Sequence, residues 1–292
     1  MDLQQLRYVV AVAETRSFTR AAERCFVVQS ALSHQVAKLE RELGFRLFAR
    51  TSRRVELTQA GEAFLPAARE SLAAAARAVT EAAAAVGEVR GQLSVGVIPT
   101  VAAVDIPDLL ERFRQAHPSV RVAMTVGSSW EMTERVAGGE LDVAFLGLPE
   151  GDEPQGVEAR ELARDDLVAV LPADHRLAAR GRTTLADIAE EVFVDFPHSS
   201  PGRAQSDRAF ADAGLARDVA FEVPVPELMI GLVRRRLAVA FLAPTFVGTD
   251  HPGVVTVPVS DGPRRVEYLV WSAFNPTPAV RAFLDVVAQA RS

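Results

Sequence analysis

The chain has 292 residues, 49% of them hydrophobic, with one cysteine and a formal net charge of −6. That length suits two or three domains with substantial cores, and a single cysteine excludes an intramolecular disulfide. No apolar run approaches the ~18 residues of a membrane span, and MDLQQLRYVVAVAETRSF lacks the basic leader and cleavage site of a secretory signal, so a cytoplasmic protein without membrane contact is expected. The charge is unevenly divided. Residues 1–60 carry ten Arg/Lys against six Asp/Glu, a balance of +4, and the remainder carries 22 against 32, a balance of −10. The N-terminal segment is the basic pole that phosphate contact requires, with the acidic remainder expected to be held away from DNA.

In chain order, residues 2–14 read as a helix with Leu3, Leu6, Val9, Val10 and Ala13 on one side. From Ser17 to Gly44 the sequence predicts two short helices with a tight connection. Ser17 can cap the first; Gln29 and Ser30 open the second, with Ser30 as its expected N-cap. On that second helix Leu32, Val36, Leu39 and Leu43 share a buried face. Ser30, Ser33, His34, Ala37, Lys38 and Arg41 lie opposite, a small, polar and basic face of the kind a helix-turn-helix places in the major groove. An ordinary amphipathic surface helix would carry the same stripe, so the flanking residues must separate the two readings. FRLFARTSRRVELT then reads as a hairpin, a wing whose Arg50, Arg53 and Arg54 suit phosphates more than base choice.

SFTRAAE, QSALSHQVAKLERELG, RLFART and LTQAGEAFL occur in that order and without gaps over roughly the first 65 residues. Together they resemble the N-terminal signature of the LysR-type transcriptional regulators, with Cys25 standing where a larger aliphatic residue is more usual. The resemblance implies a winged helix-turn-helix, a dimerising linker helix and a two-lobed domain that senses a small molecule. It also implies an interrupted inverted repeat in double-stranded DNA as target, bound by a dimer or by a tetramer built as a dimer of dimers.

From Thr58 to about Val89 one alanine-rich helix is expected, with Pro66 bending it or marking a late start. Leu65, Ala68, Leu72, Ala75, Val79, Ala82, Val86 and Val89 form a heptad seam, which reads as a dimer helix. Beyond Gln92, helices and strands alternate, implying α/β lobes on mostly parallel sheets. By the resemblance, these are lobes like those of periplasmic solute-binding proteins. The expected division is a winged helix-turn-helix domain at 1–58, a linker helix at 59–90 and an effector-binding domain at 91–292. Lobe one would hold about 92–162 and 266–292, and lobe two about 163–265.

Open α/β sheets bind ligands beyond the carboxyl ends of their strands. Three such places carry short hydroxyls: Thr100 after the first strand, Ser128 and Ser129 before a helix, and the loop of His198, Ser199, Ser200 and Arg203. They suit a small anionic effector with Arg203 or His198 as charge partner, although each serine could instead simply cap a helix. Arg234, Arg235 and Arg236 stand where the family usually has a glycine-containing turn, and read more readily as a solvated run than as a ligand site.

No cofactor or metal is expected, and no catalytic residue: the five histidines lack ligand spacing, and neither a nucleophile elbow nor a phosphate loop occurs. Cys25 falls inside the DNA-binding motif. The rival readings are a solute-binding protein with a partner-binding N-terminus, and an enzyme on the same lobes. The first is opposed by the basic helix-turn-helix and the second by the lack of a residue constellation.

Overall fold

The structure is a computed structural model and describes residues 1–50, 55–248, 251–273 and 276–290. Two compact units divide it, one built from Met1–Glu88 with Gly138–Glu140 and one from Val89–Ala137 with Leu141–Ser292.

The N-terminal unit begins with α1 (Leu3–Thr15), started by a reciprocal capping box between Asp2 and Gln5. Ser17 caps α2 (Phe18–Arg24) by accepting from the Arg20 N–H. α3 (Gln29–Leu43) departs from expectation at its start. Its N-cap is Val28, which has no side chain able to accept, and Ser30 lies inside the first turn. Gly44 closes α3 in the left-handed region (φ 81°), where a side chain would be strained. β1 (Phe48–Arg50) and β2 (Val55–Leu57) form the antiparallel hairpin, with Arg50 opposite Val55. Glu40 fixes the hairpin to α3 by accepting from the N–H groups of Leu47 and Phe48, at 2.8 and 3.1 Å. Val9, Val12, Ala21, Leu32, Val36 and Leu39 fill the core, with Phe18 edge-on to Phe48 at 5.8 Å. Each large apolar side chain so buried contributes roughly 1.5–3 kcal/mol.

α4 (Gln59–Ala84) is capped by Thr58, which accepts from Gly61 N–H and donates to the Arg46 carbonyl at 2.7 Å. Pro66 lies inside this helix, so it does not mark a late start, and it removes the hydrogen bond its N–H would have made. The helix is shorter than its apolar spacing suggests. It ends at Ala84, Gly87 turns with φ 85°, Val86 is 81% exposed, and Val89 packs into the core of the second unit. Val86 and Val89 therefore leave the seam, whose helical members run from Leu65 to Ala82.

The second unit starts with β3 (Gly91–Val97), α5 (Ile106–Ala116), β4 (Val120–Val126), α6 (Ser129–Ala137), β5 (Val143–Pro149) and β6 (Glu158–Asp166). Next come β7 (Val168–Pro172), α7 (Leu185–Ile188), β8 (Val192–Asp195), α8 (Pro201–Asp212), β9 (Asp218–Glu222) and α9 (Pro226–Arg234). β10 (Ala240–Leu242), α10 (Pro244–Val247), β11 (Val254–Pro258), β12 (Arg264–Trp271) and α11 (Pro278–Gln289) complete it.

The sheets are mixed rather than mostly parallel. In the order β4-β3-β5-β12-β6, β3 runs parallel to β4 and β5, while β12 is antiparallel to β5 and β6. In the other lobe β7 is antiparallel to both β10 and β11, while β8 and β9 pair in parallel. The reason lies in the crossings: β6 leaves lobe one and β12 returns to it, so they necessarily run against each other. β6 carries no apolar alternation in its sequence, because EARELARDD buries only Leu162; it is an edge strand clothed in charges, as exposed edges require. Phe113, Phe145 and Phe283 interlock edge to face in lobe one. Phe193, Phe210 and Phe241 cluster in lobe two, with the Arg217 guanidinium over two of these rings.

Candidate nucleic-acid interface and effector cleft

The face of α3 opposite its core stripe presents Gln29, Ser30, His34 and Lys38 to solvent, with Ser33 half-buried between them. Among the described residues, the side chains of Gln29, Ser30, His34 and Lys38 make no hydrogen bond or ion pair. At a 1.5 Å rise, Gln29 to Lys38 spans ~13 Å, comparable with the major groove's width of about 12 Å. A polar stripe of this length with unspent donors matches what base edges need. Of the wing arginines, Arg53 and Arg54 lie outside the described residues, and only the backbone of Arg50 is described. Cys25 is half-buried in the turn before α3; burial pushes its thiol up, against the opposing effect of Arg24 and Arg7. Such a thiol is a poor nucleophile.

In the second unit a cleft of about 590 Å³ opens where strand ends of the two lobes meet. Its wall is largely apolar, with Ile98, Leu167, Phe196, Val225, Phe241 and Leu242 contributing. The N-terminal turns of α6, α8 and α9 border it, at Gly127–Ser129, Ser199–Gly202 and Pro224–Glu227. The first backbone N–H groups of a helix have no partner within it, so these turns present donors and partial positive charge.

Five of the seven effector candidates line this cleft: Thr100, Ser128, Ser129, Ser199 and Ser200. Their hydroxyls are not equivalent. Ser129 is buried and donates to the Gly147 carbonyl at 3.0 Å, stitching α6 to β5. Ser200 donates to the Pro197 carbonyl at 2.7 Å and caps α8. Among the described residues Ser128 only accepts, from Glu131 N–H, and Thr100 only accepts, from Arg265 Nη1 at 3.1 Å, so both retain a hydrogen to donate. Ser199 is exposed and has no protein partner among the described residues.

The two expected charge partners fall outside the lining. His198 has a side chain 82% exposed and stands 4.0 Å from Asp207. Arg203 is held by Asp207 at 2.9 Å and Glu222 at 3.1 Å. Arg217 joins that network through Asp207, at 2.6 Å, and Asp195, at 2.7 Å, so Arg203 belongs to an internal ion-pair cluster of lobe two. Arg236, in place of the usual glycine, adopts φ 61° and pairs with Asp174 at 2.7 Å; the arginine run is a built turn and does not line the cleft.

Two polar lining residues were missed by the sequence reading. Gln205 is buried on α8 and donates to the Gly147 carbonyl at 3.4 Å. Arg265, 3% exposed at the start of β12, is the more consequential. Its Nε donates to Asp165, Nη1 to both the carbonyl and the hydroxyl oxygen of Thr100, and Nη2 to Glu267, with Nη2 also 2.9 Å from the Asp165 carboxylate as an ion pair. All three guanidinium nitrogens are thereby engaged. Glu267 in turn accepts from the N–H groups of Ala102 and Ala103, each at 3.1 Å. Burial pushes the Glu267 carboxyl up, against Arg265 and the two backbone donors, which pull it down. The network joins the crossing strands β6 and β12 to the Thr100 loop.

Residues 87–292 match the family profile described as the LysR substrate binding domain, and residues 3–62 match the bacterial regulatory helix-turn-helix protein, lysR family. The transcriptional regulator ShiR of Corynebacterium glutamicum is 33% identical over 98% of both chains. A full-length OxyR variant from Pseudomonas aeruginosa superposes with a TM-score of 0.78 at 27% identity, covering 99% of this chain and 94% of that one. Full-length CbnR in complex with its target DNA gives 0.68 at 26% identity, over 99% and 100%. Among the described residues no helix is long and apolar enough to cross a membrane. With these two profiles matching residues 3–62 and 87–292, the chain belongs to the LysR family of DNA-binding transcriptional regulators, whose substrate-binding domain serves effector modulation.

Proposed function

We propose that α3 reads the major groove through Gln29, Ser30, Ser33, His34 and Lys38, with Arg50, Arg53 and Arg54 of the wing on phosphates. The observation that carries this is the set of exposed polar side chains of Gln29, Ser30, His34 and Lys38, unspent among the described residues, along ~13 Å of one helix face opposite a filled core. The target is an interrupted inverted repeat, since a two-fold dimer reads two half-sites. Dimerisation runs along α4, where Val79 is 59% exposed and the half-buried Leu65 and Leu72 lie on the same seam, with a tetramer as a dimer of dimers. The protein acts in the cytoplasm as a regulator and not as an enzyme.

The effector is a small anion with an apolar body. Thr100, Ser128 and Ser199 donate to its head together with the N–H groups of the helix turns, and the apolar wall takes the rest. No side-chain cation is free to meet it among the described lining residues, so the charge is met by oriented neutral donors. Regulation requires that the effector bind one arrangement of the lobes better than another.

The test is selection of duplexes from a random library, followed by salt-titrated binding of wild type and Ser33→Arg. Sequence-dependent binding that weakens with salt and is redirected or abolished by the substitution supports the reading. Selection yielding no preferred sequence would remove it and favour the solute-binding alternative.

A further inference from the structure

Phe26 is 95% exposed and takes φ 54°, in the left-handed region that bulky L-residues avoid. The turn that imposes this conformation is fully specified. Cys25 is the C-cap of α2, Phe26 N–H donates to the Glu23 carbonyl at 3.1 Å, and Val27 N–H donates to the Ala22 carbonyl at 3.0 Å. These are the two bonds of a Schellman motif, and Phe26 occupies the position where glycine or asparagine is usual. Val27, the next residue, supplies the customary hydrophobic contact by packing into the core. The fold is thus served by the turn and by Val27, whereas the Phe26 ring contributes nothing to the core. It makes no ring contact among the described residues, and it costs both backbone strain and exposed apolar area.

Its place in the motif is specific. Phe26 lies two residues before Val28, itself 68% exposed and the N-cap of α3. In a helix-turn-helix the first turn of the second helix meets base edges. The residues just ahead of it then lie against the wall of the groove, where the sugars present C–H surface between phosphates. Phe26 and Val28 are thus two exposed apolar residues in the segment that leads directly into the polar face of α3.

We infer that the Phe26 ring packs on a deoxyribose of the DNA backbone beside the reading helix, fixing the depth and tilt of α3 in the groove. This rests on the reading of α3 as the recognition helix. A sugar contact carries no sequence information by itself, but positions those that do. The side chain is retained at a stability cost because it acts on the bound state.

The experiment uses the full chain and a duplex selected by the wild type from a random library, with Phe26→Asn, Phe26→Gly and Phe26→Leu. Asparagine and glycine suit the left-handed position, so thermal unfolding of these two variants is expected at or above the wild-type temperature. Their affinity for the selected duplex is expected to fall about tenfold, with Phe26→Leu recovering most of it. The slope of log K against log salt should not change, because no phosphate contact is lost. Replacing every thymine by deoxyuridine should leave the deficit intact. Affinity within twofold of wild type would overturn the inference while leaving the selected site, and so the role of α3, in place. A lowered unfolding temperature in both variants would assign the ring to the fold. A slope smaller by about one would indicate a lost phosphate contact, and a deficit that vanishes on uracil DNA a contact to a base methyl; each of these also overturns it. Failure of the selection itself would sink the reading of α3.

Discussion

Replacing Arg265 by methionine should test whether the cleft floor is held as a charge network. The substitution roughly preserves the buried stem but removes four hydrogen bonds and the cation between Glu267 and Asp165. Breaking a buried pair by removing one partner costs about 3–5 kcal/mol, since the other charge stays buried and unpaired. A second estimate caps the Glu267 share. Without Arg265 that carboxyl, 1% exposed and already pushed up by burial, can escape its penalty by taking a proton. Protonating a carboxyl of ordinary pKa ~4.3 costs about 3.7 kcal/mol at pH 7 and about 1 kcal/mol at pH 5, at 1.36 kcal/mol per unit. The destabilisation should therefore reach some 3–4 kcal/mol at pH 7 and shrink by up to about 2.7 kcal/mol on acidification to pH 5. The sign follows from linkage: a group whose folded-state pKa is raised binds its proton more readily in the fold, so stability is lost as pH rises towards that value.

The chain's two tryptophans, Trp130 and Trp271, both belong to the second unit, so their fluorescence during urea unfolding reports on it alone. Adding Glu267→Gln to Arg265→Met should recover much of the loss at pH 7 and flatten its pH dependence. In the wild-type background the same glutamine change should be destabilising, because Arg265 loses a charged acceptor. A penalty for Arg265→Met below about 1 kcal/mol, or one equal at pH 5 and pH 7, would refute the network as a source of stability.

Val28→Thr supplies α3 with the missing N-cap and should add about 1 kcal/mol, seen as roughly fivefold slower hydrogen exchange over residues 29–35. Gly61→Ala should do the reverse of a usual helix substitution. Its Cβ would fall 2.1 Å from the Leu47 carbonyl oxygen and 2.9 Å from Leu57 Cδ2, so the overpacking cost of about 1–3 kcal/mol outweighs a helix gain of ~1 kcal/mol and lowers the N-terminal unfolding temperature. Hydrogen bonds from Thr184, then Arg180, hold Asp187 below its ordinary value. Its contribution is present above the unfolded carboxylate pKa of ~3.9 and lost as pH falls through the lower folded one, so Asp187→Asn should lower the unfolding temperature at pH 7 and barely at pH 3.

What could be read from the sequence was local. Ser17, Thr58 and Ser200 sit where a hydroxyl before an apolar-periodic segment should sit, and each caps its helix. Ser30 looked the same and is not a cap, because the Schellman turn at Phe26 has already aimed the chain and α3 begins with no side chain on Val28 to help it. The spacing of Val86 and Val89 continued the α4 seam on paper, but periodicity records only that a residue wants burial, not which core will bury it. Val89 is taken by lobe one. Strand direction escaped for a related reason: alternation in DLVAVLP and LAVAFLAP identifies strands and says nothing of their partners.

The cleft shows the limit more sharply. Its hydroxyls were found because they follow strands and precede helices, a signal a few residues wide. Which of them keep a free hydrogen depends on Gly147, Pro197 and Arg265, the last 165 positions from Thr100. Yet RRVEYLVW contains a clue. Arg265 and Glu267 alternate with Val266, so they share one face of a strand that is apolar or aromatic at every other position except its first, Arg264. Two opposite charges on the same face of a buried strand cannot both be solvated, and so must be paired with each other and with whatever lies across from them. That argument locates an internal ion pair from sequence alone. It cannot name Thr100 as the third member, because this follows only from the β3–α5 loop folding back over β12.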